Sequence, residues 1–110
     1  MKIPDQEFRL QILQRVGAKL TELRGKRSQS ELAKQARITR ASISALEGGQ
    51  QGVSVETLCR LAAALDVAPG KLLPKKEEIA RLLENAQDKL PRRPLEEVVD
   101  EFLQEGDSHG

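Results

Sequence analysis

Between Ser28 and Glu47 two short helix-forming stretches follow each other with only Ala36-Arg37-Ile38 to join them. No other feature constrains the fold as tightly, because helices joined so closely must pack against each other and share one core. The first opens on Ser28-Gln29-Ser30-Glu31, which reads as a capping box. The Ser28 hydroxyl accepts from the Glu31 amide, and the Glu31 carboxylate returns to the Ser28 amide. Leu32, Ala33 and Ala36 face inward. The second stretch runs from about Arg40 to Glu47, has Thr39 as N-cap, and turns Ile43 and Leu46 inward before Gly48-Gly49 stops it.

The flanking segments supply what this pair packs on. Phe8, Ile12, Val16, Leu20 and Leu23 recur at steps of three and four, the mark of an amphipathic helix that Pro4 or Asp5 starts and Gly25 ends. Ser54 caps another helix with Val55, Leu58, Leu61, Ala62 and Leu65 at helical spacing. Pro69 begins a last turn containing Leu72 and Leu73, and Pro74 closes it. Phe8 and Phe102 are the only aromatic residues, so the core is built from Leu, Ile, Val and Ala, a composition that favours helices. The expected class is all-α, with a compact domain over residues 5–74 and an extension over 75–110.

In the extension, Ile79, Leu82, Leu83, Ala86 and Leu90 form one amphipathic helix. Pro91-Arg92-Arg93-Pro94 breaks it, and Leu95, Val98, Val99, Phe102 and Leu103 form another. Gly106 to Gly110 reads as a frayed tail. The stripe over residues 76–90 has no remaining core to cover. Ile79, Leu82, Leu83, Leu90, Val98, Val99 and Phe102 are therefore expected to meet a second copy or another partner.

Charge divides the chain the same way. Residues 1–75 hold 13 Lys/Arg and 7 Asp/Glu, and residues 76–110 hold 5 and 10, so a net +6 front precedes a net −5 back. A basic front suggests a polyanion partner. One cysteine, Cys59, cannot form a disulfide within the chain or a cysteine-rich zinc site. No apolar run is long enough to cross a bilayer, and Met1-Lys2-Ile3-Pro4-Asp5 lacks a signal-peptide core, so a cytoplasmic location is expected. Glu77-Glu78 and Glu96-Glu97 diverge as helix neighbours and make no acid/base pair, His109 has no ligand partners, and no nucleophile–base set appears. Neither catalysis nor a metal or cofactor is expected. Gly48-Gly49-Gln50-Gln51-Gly52 lacks the lysine of a nucleotide-binding loop and reads as a helix stop whose amides are able to meet a DNA phosphate.

Small Ala33 lets the two central helices approach, while Ile38, Ile43 and Leu46 pin the second onto the domain: a helix-turn-helix arrangement. The outer face of the second helix presents Arg40, Ala41, Ser44 and Ala45. Such short side chains let a helix sit deep in a major groove, with Arg40 placed for a bidentate contact to a guanine edge. Ser28-Gln29-Ser30-Glu31-Leu32-Ala33, Ile38-Thr39-Arg40-Ala41-Ser42-Ile43-Ser44, Leu46-Glu47 and Ser54-Val55-Glu56-Thr57-Leu58 resemble the phage-repressor (Cro and C1 type, or XRE) helix-turn-helix family over about Leu20 to Leu73.

The resemblance implies a five-helix DNA-binding domain. It implies base reading by Arg40, Ala41, Ser44 and Ala45, and an ion pair of Arg24 with Glu47. Gln29 takes a phosphate-contacting, helix-bracing role in this scheme, and Ser28, Thr39, Ser42 and Gln50 join it along the DNA backbone. Arg37 stands where the family has a left-handed glycine, a conformation that costs another residue about 1 kcal/mol. The function expected is a transcriptional regulator, a repressor binding a near-palindromic operator on double-stranded DNA as a homodimer, with half-sites about 34 Å apart. The alternative is an antitoxin that represses its own operon and binds a toxin through Pro94 to Gln104.

Overall fold

The computed structural model describes residues 4–87, with side chains over residues 6–85. Five α-helices and one short 3-10 turn make up this part of the chain: α1 (Pro4–Arg24), α2 (Gln29–Ala36), α3 (Arg40–Glu47), α4 (Val55–Leu65), the turn Pro69–Leu72, and α5 (Lys76–Gln87). The protein is all-α. Leu90, Val98, Val99, Phe102 and the expected helix after Pro94 lie outside the described residues.

Helix starts follow the hydroxyl residues. Ser28, Thr39 and Ser54 each have extended backbone and accept from the amide three residues on, at 3.0, 3.0 and 3.1 Å. Each bond satisfies one of the donors a helix leaves open at its N-terminus. The return bond from the Glu31 carboxylate is not among those formed by the described residues.

The ends of α2, α3 and α4 also share one geometry. Ile38 N–H reaches back to Ala33 O, Gln50 N–H to Ala45 O and Val67 N–H to Ala62 O, at 3.0, 2.9 and 3.0 Å. This reversal needs a left-handed residue, and Gly49 supplies it after α3 with φ +68°. After α2 and α4 the residue is Arg37 (φ 60°) and Asp66 (φ 58°), so side-chain-bearing residues hold the strained conformation there. Ile38 and Val67, which follow them, pack on the core and offset that strain.

One apolar cluster joins α1 to α4: Leu20 from α1, Leu32, Ala33 and Ala36 from α2, Ile43 and Leu46 from α3, and Leu58, Leu61, Ala62 and Leu65 from α4, with Leu72 of the 3-10 turn closing it. α3 sits between α1 and α2, and α4 packs on α2 and the 3-10 turn.

One expectation is corrected. The stripe of α5 does have a core to cover, because α5 packs along α1 of the same chain. Leu82 is 6% exposed, and Ile79 and Leu83 are half-buried. α1 carries more apolar surface than the central cluster uses: Val16 is buried outside that cluster, and Ile12 and Leu13 are half-buried. Glu78 fastens the start of α5 by accepting from the Lys75 amide at 2.9 Å and pairing with Arg15 at 3.3 Å and Lys19 at 3.6 Å on α1.

Candidate nucleic-acid interface

α3 is an eight-residue helix, about 12 Å long at 1.5 Å per residue. Ile43 is fully buried and Leu46 nearly so, which fixes the inner face. By helical geometry the opposite face carries Arg40, Ala41 and Ser44, all exposed, and Ala45, which is half-buried. The structure thus brings the four expected base-reading residues onto one face, with Ala45 set back toward the core.

What holds α3 in place is centred on Glu47 at its last position. Arg24, at the end of α1, forms a two-pronged pair with it: Nε to Oε2 at 2.6 Å and Nη2 to Oε1 at 3.0 Å. Gln29, at the start of α2, donates from Nε2 to Glu47 Oε1 at 2.9 Å. Arg24 also donates to the Arg27 carbonyl at 2.7 Å. The side chains of Arg24 and Glu47 are 18% and 9% exposed. Burial alone pushes the Glu47 carboxyl up, but the donors from Arg24, Gln29 and Thr21, with the Arg24 charge, bring it below the ordinary carboxylate range. The hydrogen bond to Glu47 likewise raises the Arg24 guanidinium. α3 is therefore clamped from two helices by an ionised carboxylate at neutral pH. Gln29 braces the recognition helix while its second amide hydrogen stays available for a phosphate.

The hydroxyls expected along the DNA backbone are already engaged. Ser28 Oγ accepts from Glu31, and Thr39 Oγ1 accepts from the Ser42 amide and donates to Ser42 Oγ at 2.9 Å. The Ser28 and Ser42 hydroxyl protons are left for an outside acceptor. The loop after α3 requires a correction for its first three amides. The amides of Gly48, Gly49 and Gln50 all bond back into α3, at 3.0, 3.1 and 2.9 Å, so they are not free for a phosphate. The Gln50 side chain is exposed.

Two contributors escaped the sequence reading. A Cβ on Gly17 of α1 would stand 2.5 Å from the Leu46 carbonyl oxygen and 2.6 Å from that of Glu47. Only glycine lets α1 lie this close to the end of α3. Arg27 ties the link before α2 to the end of α4, donating to the Ala64 carbonyl at 2.8 Å and to Gln35 at 2.7 Å. A glycine inside a regular helical pattern was the signal for the first; nothing local marked the second.

Among the described residues no group of His, Cys, Asp and Glu could hold a metal ion, and no helix is long and apolar enough to cross a membrane. The chemistry the site offers is recognition: one long cation on a face of short side chains, carried by a rigidly placed helix.

Known proteins share this fold. The signature of the helix-turn-helix domain family matches residues 15–75. No curated protein matches the chain significantly. Among solved structures, the restriction-modification controller protein C.AhdI from Aeromonas hydrophila is 36% identical, with a TM-score of 0.54 over 56% of this chain and 96% of its own. A hypothetical transcription factor, NHTF, from Neisseria is 33% identical, with a TM-score of 0.54 over 66% of this chain and 87% of its own. The matched span contains α2, α3 and the whole Arg24–Glu47–Gln29 clamp. With its pattern, its helices and its clamp in agreement, the chain belongs to the helix-turn-helix domain family, in its repressor-like (XRE) form, and is a DNA-binding protein.

Proposed function

We propose that the protein is a transcriptional regulator, acting as a repressor, that binds a near-palindromic operator as a homodimer. The observation that carries this reading is the Glu47 clamp. It spends polar contacts on holding α3 still and leaves Arg40, Ala41 and Ser44 facing out. A recognition helix needs that rigidity, because base contacts depend on placement within a fraction of an ångström. Arg40 reads a guanine edge, with Ala41, Ser44 and Ala45 admitting the helix to the groove. Gln29, Ser28, Ser42 and Gln50 set the register on the phosphates, whereas Thr39, whose hydroxyl proton goes to Ser42, is corrected from a phosphate contact to the cap of α3. One short helix gives limited affinity, and a two-fold pair doubles the contacts.

The two structural relatives described above bear the names of regulators, a restriction-modification controller and a transcription factor. This supports the regulator over the antitoxin, whose toxin-binding segment from Pro94 lies outside the described residues. Selection from a random DNA pool tests the reading. The expected outcome is an enriched near-palindrome with half-sites about 34 Å apart, or a multiple of that spacing. A pool that stays random would contradict it.

A further inference from the structure

The family match begins at residue 15, yet α1 begins at Pro4, so this chain adds about three turns ahead of the matched domain. These turns lie against the loop that follows the recognition helix. A Cβ on Gly49 would stand 2.9 Å from Gln14 Cγ and 3.1 Å from Gln14 Cα, so the α1 backbone touches the loop there. Five residues earlier, Arg9 Nη2 lies 3.2 Å from the Cβ position of Gly52. Arg9 is exposed and takes part in no ion pair among the described residues.

The loop itself, Gly48-Gly49-Gln50-Gln51-Gly52-Val53, holds no cation, and its first three amides are committed to α3. In helix-turn-helix docking the first turn of the recognition helix reaches the base edges, which leaves the loop after α3 on the side of the phosphates. At the start of α3, Arg40 brings a positive charge to the base edges. At the other end the loop brings none, and Arg9 is the cation placed over it.

Resting on the regulator reading above, we propose that Arg9 is a DNA-backbone contact, with its guanidinium taking a phosphate beside the Gln50–Gly52 loop. The added turns of α1 thus extend the footprint beyond the helix-turn-helix motif. A planar guanidinium suits a phosphate, and one phosphate neutralised releases its condensed counterion.

The test is titration of full-length protein with the selected operator, and with single-substituted operators, across a salt series. Arg9→Ala is expected to weaken all of these DNAs by the same factor, about fivefold per protomer at 0.15 M salt, and to reduce the log–log salt slope by about 0.9 per protomer. Arg9→Lys should recover most of the slope. Lys71→Ala removes an equal charge from the 3-10 turn and should do much less. The melting temperature of Arg9→Ala should match the parent, since the side chain is exposed. An unchanged slope in Arg9→Ala overturns the inference. So does a loss equal to that of Lys71→Ala, which would mark a diffuse field, or a loss confined to one base pair, which would mark a base contact. If Arg9→Ala is silent while Arg40→Ala still alters base preference, this inference fails and the regulator reading stands. If the parent protein selects no DNA, both fail.

Discussion

α1 is held at its C-terminal end and along its middle by different physics. At its C-terminal end Arg24 meets Glu47 through two short, nearly buried hydrogen bonds, and Gln29 completes the set. Along its middle, Arg15 and Lys19 meet Glu78 at 3.3 and 3.6 Å, and the Arg15 side chain is 46% exposed. The first arrangement is shielded and directional, so it specifies where α3 sits. The second is solvated and loose, and exposed pairs of this kind contribute little. Burial of Leu82, with Ile79 and Leu83 beside it, is what docks α5. The difference shows where position matters. The recognition helix is fixed by polar geometry, whereas α5 is attached by apolar area that tolerates small shifts.

The severest way to break the α3 side is Gly17→Ala. The new methyl meets carbonyl oxygens of the backbone, which cannot rotate away, so the α1–α3 packing must open. Unfolding in urea should show a loss of about 3 kcal/mol or more. Operator binding should fall with it, because α3 moves.

Glu47→Gln comes next. It leaves Arg24 partly buried without its counter-charge. Full burial makes such a loss about 3–5 kcal/mol, and with Arg24 18% exposed about 2–3 kcal/mol is expected. The pH dependence sharpens this. Glu47 and Glu78 both titrate below the ordinary carboxylate range in the folded protein. The stability they add is therefore complete above the unfolded-state carboxylate pKa and is lost as pH falls through the lower, folded-state value. Acid unfolding curves should be shallower for Glu47→Gln than for the parent. Glu78 is lowered chiefly by the Lys75 amide, then by Lys19 and Arg15. Glu78→Gln should give a small effect that added salt shrinks, while the Glu47 effect persists in salt.

On the α5 side, Leu82→Ala should cost about 2 kcal/mol, the lower end for a buried leucine, since it packs outside the central cluster. Operator affinity of the folded fraction should be unchanged, in contrast with Gly17→Ala. The smallest expected effect is a gain. Arg37→Gly relieves the left-handed strain at φ 60° and should raise stability by about 0.5 kcal/mol, the relief of about 1 kcal/mol being partly offset by the freer unfolded chain. Asp66→Gly should gain less, because Asp tolerates this conformation better.

How far each region was legible follows from the same contrast. Ser28, Thr39 and Ser54 announced their helices because capping is local chemistry, and Gly25 and Gly49 announced their turns because both need positive φ. The Arg24–Glu47 pair came through family resemblance, not through spacing, since 23 residues separate the partners. Asp66 escaped because no glycine marks its turn. The docking of α5 escaped for a tertiary reason. An apolar stripe shows that something covers it, and α1 offers enough apolar surface for both the central cluster and α5. The Gly48–Gln50 amides looked available because their return bonds into α3 appear only once the helix end is built.

The most direct test of the central claim compares Arg40→Ala with Gln29→Ala on matched and single-substituted operators at fixed salt. Arg40 is exposed on the first turn of α3, whereas Gln29 is half-buried and held against Glu47. Arg40→Ala should weaken the matched operator by about 1–3 kcal/mol per half-site and erase the preference at one base pair, a guanine. Gln29→Ala should weaken every operator by a similar factor, since phosphates carry no base identity. If Arg40→Ala instead lowers all operators equally, α3 does not read sequence through Arg40 and the account of this interface is wrong.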